Sequence, residues 1–135
     1  MYVLDTSILS ELTKRHPNEA FLHHLRQVPS TALFTASICV MELRYGAALR
    51  SDEQTFWHRI QQEIPAHVHI LEVGEREALV AGEVLAHLKR TGRPIGLEDV
   101  LIGAIARSRG YTVVTRNTRH FQLFPGLHVE DWCAS

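Results

Sequence analysis

Three carboxylates fall at three separate seams of this chain. Asp5 ends the apolar opening Tyr2-Val3-Leu4, Glu42 lies inside the amphipathic stretch Ser37–Gly46, and Asp99 opens a segment rich in Val, Ile, Ala and Gly. A lone carboxylate in apolar surroundings is costly. Several converging on one cleft would repel by about 4 kcal/mol per close pair at an effective dielectric near 20. A hard divalent cation removes that penalty, so the pattern points to a Mg²⁺ or Mn²⁺ site. Each acid also has a purely structural alternative. Asp5 can cap the helix that follows, Glu42 can pair with Arg44 on a rim, and Asp99 can favour a helix dipole by about 0.3–1 kcal/mol. Glu42 shares a helical face with Ile38, Tyr45 and Leu49, otherwise apolar or aromatic. Thr6 and Ser7 place hydroxyls beside Asp5, able to cap a helix or to bond a metal-bound water.

Other chemistries find less support. His67-x-His69 alternates in a strand pattern, which usually means surface residues. No Gly-x-Ser-x-Gly, phosphate-binding loop or dinucleotide glycine motif occurs. The cysteines, Cys39 and Cys133, lack metal-ligand spacing. Cys39 is expected as a small core hydrophobe, which suits a reducing cytoplasm. A phospho-acceptor role for Asp5 is weak, because Ser7 stands where a second aspartate would act as acid.

Alternating strands and helices must position these groups. Expected strands are Tyr2–Leu4, Ala32–Thr35, Val68–Val73, Tyr111–Thr115 and Leu127–Val129. Expected helices run over Ser7–Lys14 (capped by Thr6 or Ser7), from Pro17 to about Gln27, from a Ser37 cap through about Leu49, from an Asp52 cap to just before Pro65, and over Glu75–Thr91 and Asp99–Arg109. A turn is expected around Asn117–Phe121. The small residues Gly103 and Ala106 let the helix that begins at Asp99 approach the sheet closely. This alternation predicts an α/β fold with a parallel sheet covered by helices on both faces. Ligands then bind beyond the carboxyl ends of the strands. Asp5 and Asn117 fall just past such ends, and the helices carrying Glu42 and Asp99 are expected to begin there.

The 135 residues suit one domain, with 45% hydrophobic and 21% charged residues. No apolar run suits a membrane span and no secretory signal is visible. The net charge of −1 singles out no partner, but its distribution does. Between positions 89 and 119 stand Lys89, Arg90, Arg93, Arg107, Arg109, Arg116 and Arg119 against only Glu98 and Asp99. Such a basic surround suits a phosphodiester or an acidic partner segment, or simply a solvated surface.

The stretches Leu4-Asp5-Thr6-Ser7, Met41-Glu42-Leu43-Arg44-Tyr45-Gly46 and Arg93-Pro94-Ile95-Gly96-Leu97-Glu98-Asp99-Val100-Leu101-Ile102 resemble PIN-domain ribonucleases, in particular the VapC toxins of bacterial type II toxin–antitoxin pairs. Ala106 to Gly110, Val114 to Arg119 and the ending Pro125 to Trp132 extend the resemblance over nearly the whole chain. It implies a single PIN-like domain over residues 1–135, a three-layer α/β/α arrangement with a parallel sheet of four to five strands. It implies Asp5, Glu42 and Asp99 as the catalytic, metal-holding acids, with Mg²⁺ or Mn²⁺ as cofactor. Thr6, Thr115 and Asn117 would support them, and Arg93, Arg116 and Arg119 would grip the RNA backbone. The implied activity is endonucleolytic cleavage of RNA, often tRNA, with initiator tRNA among the candidates, to inhibit translation. Implied partners are a VapB-like antitoxin whose C-terminal segment wraps the toxin, a second copy of the chain, and operator DNA only through the antitoxin complex. No membrane is implied and the cytoplasm is the expected location. Asn117 stands where many PIN domains carry a fourth acid, His120 where close VapC relatives often carry glutamate, and Ser7 where asparagine is common. One metal or two therefore both stay open, as does a non-catalytic module that binds RNA or antitoxin.

Overall fold

The computed structural model describes residues 1–134. Five short strands form one sheet: β1 (Tyr2–Leu4), β2 (Leu33–Ala36), β3 (His69–Leu71), β4 (Thr112–Val114) and β5 (His128–Glu130), in the order β3-β2-β1-β4-β5. Every pairing is parallel, with Leu4 opposite both Thr35 and Val114. The central strand, β1, is apolar throughout, as a strand covered on both faces must be. The order steps outward from β1 to β3, then crosses back to β4 on the other side. The β1–β4 boundary is thus the topological switch point where open parallel sheets leave a crevice.

Helices α1 (Thr6–Leu9), α2 (Glu19–Gln27), α3 (Ser37–Ala48), α4 (Glu53–His67), α5 (Glu75–Arg90), α6 (Leu97–Arg109) and α7 (Thr118–Gln122) surround the sheet. The expected three-layer arrangement holds, at the upper end of the strand count. α6 is buried on two sides. Ile102, Ile105 and Ala106 join the main core beneath the sheet, while Val100 and Ala104 pack with Ala81, Val84 and Leu88 of α5. The close approach is not Gly103 to the sheet, since a Cβ at Gly103 would lie 2.6 Å from the Phe124 ring. Gly110 ends α6 with φ of 70°, the left-handed cap that glycine adopts without strain. Trp132 is buried against Tyr2, the two ring centres 5.0 Å apart, and ties the C-terminal segment to the sheet.

Several boundaries differ from expectation. The first helix is four α residues followed by a 3₁₀ turn, Ser10–Thr13, and its cap is Asp5 rather than Thr6 or Ser7. Pro17 precedes the second helix, which Asn18 caps by accepting from Phe21 N–H at 3.0 Å. Pro65 lies inside α4. In the last turn its missing N–H removes a single ladder bond, and Val68 N–H still donates to the Ile64 carbonyl at 3.1 Å. Ala36, not Ser37, is the N-cap of α3, whereas Asp52 is the N-cap of α4 as expected, without a side-chain capping bond. The residues around Asn117–Phe121 close into a helix. No helix among the described residues is long and apolar enough to cross a membrane.

Candidate metal centre

β1 delivers Asp5 to the switch point. Its backbone N–H donates to the Val114 carbonyl at 2.9 Å, which continues the β1–β4 ladder by one step. Its carbonyl then accepts from Ile8 and Leu9 N–H and so starts α1. The side chain, only 6% exposed, accepts from Thr6 N–H at 2.7 Å through Oδ1. Oδ2 accepts from the Thr115 hydroxyl at 2.8 Å and from Ser7 Oγ at 3.2 Å. Asp5 therefore is the helix cap its alternative role required, and it also faces the crevice.

Glu42 comes from α3. The buried stripe of that helix is Cys39, Leu43 and Ala47. The face shared with Tyr45 and Leu49 turns outward, those two side chains being 68% and 71% exposed. Glu42 sits at the edge between the stripes, half-buried, and its Oε1 accepts from Thr6 Oγ1 at 2.8 Å. The rim pair with Arg44 does not form, because Arg44 donates to Glu53 at 2.7 Å. Asp99 stands in the first turn of α6. That helix follows α5 and not a strand, yet the α5–α6 hairpin brings its N-terminus to the same crevice. Asp99 Oδ2 lies 3.5 Å from His120 Nδ1.

The electrostatics show that these acids share one space. Burial raises the Glu42 carboxyl above its ordinary value, and repulsion from Asp5, Asp99 and Glu98 pushes it further, against the opposing Thr6 hydrogen bond. Burial likewise raises Asp99, reinforced by Asp5 and opposed by His120. Glu98 is exposed, but it is close enough to add to both shifts. Among the described residues, no lysine or arginine makes an ion pair with Asp5, Glu42 or Asp99. Donor atoms of Asp5, Glu42 and Cys39 lie within 4.8 Å of one another. Cys39 is fully buried, as expected, and burial pushes its thiol up to about 11. It therefore stays protonated at neutral pH and leaves the carboxylates as the charged donors. Oxygen donors with uncompensated charge suit a hard divalent ion.

The remaining expected residues divide. Thr6 and Thr115 bond directly to the acids. Asn117 does not: its N–H donates to Thr115 Oγ1 at 2.9 Å and its side-chain amide to His120 Nδ1 at 2.8 Å. Arg116 is held by Glu11 at 3.1 Å, and its N–H donates to Ser7 Oγ at 3.2 Å. Arg93 and Arg119 are exposed. Arg107 and Arg109 lie at the far end of α6, about 12–15 Å along the axis from Asp99. They bond the Pro125 carbonyl and Glu77 instead. His67 pairs with Glu63 and His69 leans on Phe34, so they form no joint site. Two participants escaped notice as such. Ser7 links Asp5 to Arg116. Glu11, 2% exposed, holds Lys14 and Arg116 through Oε1 while its Oε2 has no partner. A charged residue amid Ile8, Leu9 and Leu12 was the available signal.

Residues 2–126 match the PIN domain family model. The tRNA(fMet)-specific endonuclease VapC of Salmonella typhimurium is 32% identical over 135 residues, covering 98% of each chain. Ribonuclease VapC2 of Haemophilus influenzae is 33% identical over 131 residues, covering 97% of each. The crystal structure of DNA-bound VapBC from Salmonella typhimurium superposes with a TM-score of 0.89 at 32% identity over 98% of each chain. That of VapBC-1 from nontypeable Haemophilus influenzae gives 0.88 at 29%, also over 98% of each. Matched along almost its whole length in both sequence and fold, the chain belongs to the PIN-domain family as a VapC-like member.

Proposed function

We propose that this chain is a metal-dependent endoribonuclease toxin that cleaves tRNA and so inhibits translation, with initiator tRNA the first substrate to try. The observation that carries this is the trio Asp5, Glu42 and Asp99, gathered at the β1–β4 crevice with no lysine or arginine partner among the described residues. The named activities of the VapC relatives support the RNA substrate. Asp5, Glu42 and Asp99 would hold Mg²⁺ or Mn²⁺, which when bound acidifies a water and offsets charge on the scissile phosphate. Thr115 and Ser7 fix the Asp5 carboxylate, and Thr6 fixes Glu42 Oε1. Glu42 Oε2 is then free to take the proton of the attacking water. Arg93 and Arg119, both exposed, would meet RNA phosphates. Arg116 would do so only while tethered to Glu11.

The chain would act as one domain over residues 1–135, in the cytoplasm. A VapB-like antitoxin would cover it, as the VapBC complexes among its structural relatives suggest. DNA would be met only through that complex. The exposed apolar stripe of Met41, Tyr45 and Leu49 on α3 favours pairing with a second copy. The test is incubation of antitoxin-free protein with bulk tRNA, with Mg²⁺, with Mn²⁺ or with EDTA, beside Asp99→Asn. Discrete fragments that require both metal and Asp99 are expected. Fragments that persist in EDTA, or with Asp99→Asn, would remove the proposed centre. A second possibility, a non-catalytic module binding RNA or antitoxin, draws on Asn117 bonding His120 rather than the acids. RNA binding with no cleavage in any metal would favour it.

A further inference from the structure

A groove of about 380 Å³ lies where the 3₁₀ turn after α1 meets the α3–α4 corner, and its walls are strongly basic. Lys14 and Arg15 line one side, Arg50 and Arg59 the other, and the sole acid among the lining residues is Asp52. Asp52 is consumed by Arg50, which grips both its oxygens at 2.7 and 3.0 Å. Arg15 and Arg59 are exposed and have no acidic partner among the described residues. On a chain whose net charge is −1, this is a local concentration of unneutralised cations.

One short segment of chain links the groove to the carboxylate centre. Ser10, on its wall, donates to the Ser7 carbonyl at 3.0 Å, and Ser7 in turn bonds Asp5. Buried Glu11 holds Lys14 at the mouth of the groove and Arg116 beside the centre with a single oxygen, each at 3.1 Å. A four-residue α-helix and a four-residue 3₁₀ turn separate Asp5 from Lys14, about 14 Å of rise. Single-strand sites of about 4–16 nucleotides span such a distance.

We infer that this groove is a second RNA contact, which holds backbone phosphates flanking the scissile bond on Arg15 and Arg59 while the carboxylates hold the bond itself. It rests on the ribonuclease function proposed above. Forked guanidinium donors suit phosphate oxygens, and their lack of acidic partners leaves them available. Arg116, Lys14, Arg15 and Arg59 thus extend the cations from beside the centre into the groove. Because phosphate contacts carry no sequence information, the groove adds affinity without setting which bond is cut.

The test measures binding, not turnover. A fluorescein-labelled 12-nucleotide RNA of mixed sequence is titrated with Asp99→Asn protein, and its anisotropy is followed from 0.05 to 0.3 M salt. Adding Arg15→Ala and Arg59→Ala together should weaken binding about tenfold at 0.15 M salt and flatten the log–log salt slope by about 1.4, two phosphates' worth. Arg26→Ala with Arg90→Ala, exposed cations on α2 and α5, should change neither. Unaltered affinity and slope in the groove variant would overturn the inference. So would loss of binding to a labelled polyglutamate peptide with RNA binding intact, which would mark a site for an acidic protein segment. Thermal melts verify folding, and Arg15→Gln and Arg59→Gln singly stand in should the double variant unfold. RNA binding that depends on the groove without cleavage by the native chain would fail the nuclease and spare the groove. Cleavage with groove-independent binding would do the reverse.

Discussion

Two sets of buried carboxylates make opposite use of the same chemical group. Glu77 on α5 is 7% exposed and wholly satisfied. It accepts from Gly74 N–H at 3.1 Å in a capping box and from Arg109 Nη1 at 2.8 Å. Backbone hydrogen bonds, chiefly at its own residue, hold it below the ordinary carboxylate value, and Arg109 adds to them against the cost of burial. Asp5, Glu42 and Asp99 are buried to a comparable or lesser degree, yet they meet hydroxyls, a backbone N–H and the His120 imidazole instead of a guanidinium. Burial first, and then repulsion from neighbouring acids, pushes Glu42 and Asp99 up. The difference teaches where to look for function: a carboxylate given its own guanidinium is building the fold, and buried carboxylates without one are the candidates for a site.

Substitutions can break or sharpen this contrast. The largest effect is expected at the unsatisfied set. Asp99→Asn should lower RNA cleavage by about 10²–10⁴-fold with the far-ultraviolet circular dichroism unchanged; a variant that cut at the native rate would erase the distinction. Next comes the satisfied set. Arg109→Ala should cost about 2–3 kcal/mol in urea unfolding, less than for a fully buried pair because Arg109 is 29% exposed. Cleavage per folded molecule should hold. Gly103→Ala, placed between the two sets on α6, should destabilise by about 1–3 kcal/mol as its Cβ meets Phe124, again seen in the urea midpoint.

The smallest effect carries the sign of the comparison. A carboxyl raised in the folded state binds protons more readily there than in the unfolded chain, so its charge destabilises the fold at neutral pH and ceases to as pH falls. Asp99→Asn should therefore raise the melting temperature at pH 7 by about 2–4 °C, and the gain should vanish towards pH 4, near the ordinary aspartate value. Glu77 runs the other way. Held below its ordinary 4.5, it stabilises above that pH and ceases to do so as pH drops through its lower folded value. In Glu77→Gln the stability deficit should accordingly shrink on acidification. Calorimetry across pH 3–8 on both variants checks the two slopes.

Residue types and periodicity made much of the molecule legible. The apolar run ending in Asp5 reads as a strand delivering an acid. The break after Arg90 and the stretch from Asp99 to Arg109 read as two helices with a glycine-ended turn, because local propensity and capping govern them. The three carboxylates could be picked out since charge amid apolar residues is anomalous wherever the chain goes. What failed were judgements that depend on neighbours distant in sequence. Arg44 looked like a partner for Glu42, and only the α3–α4 packing gave it to Glu53. Arg107 and Arg109 looked like part of a basic surround, yet α6 carries them to its opposite end. Glu11 drew no reading at all, and its burial beneath Lys14 and Arg116 follows from how the 3₁₀ turn sits on α4.

By itself, then, the sequence determined which segments form strands and helices and which acids have no business in their surroundings, for both follow from interactions within a few residues. Only the tertiary structure decided that β1 lies between β2 and β4. Strand order is set by which helices can cover which faces of the sheet, a competition among long-range contacts. That order puts Asp5 against Thr115, 110 positions away, and turns three scattered anomalies into one centre.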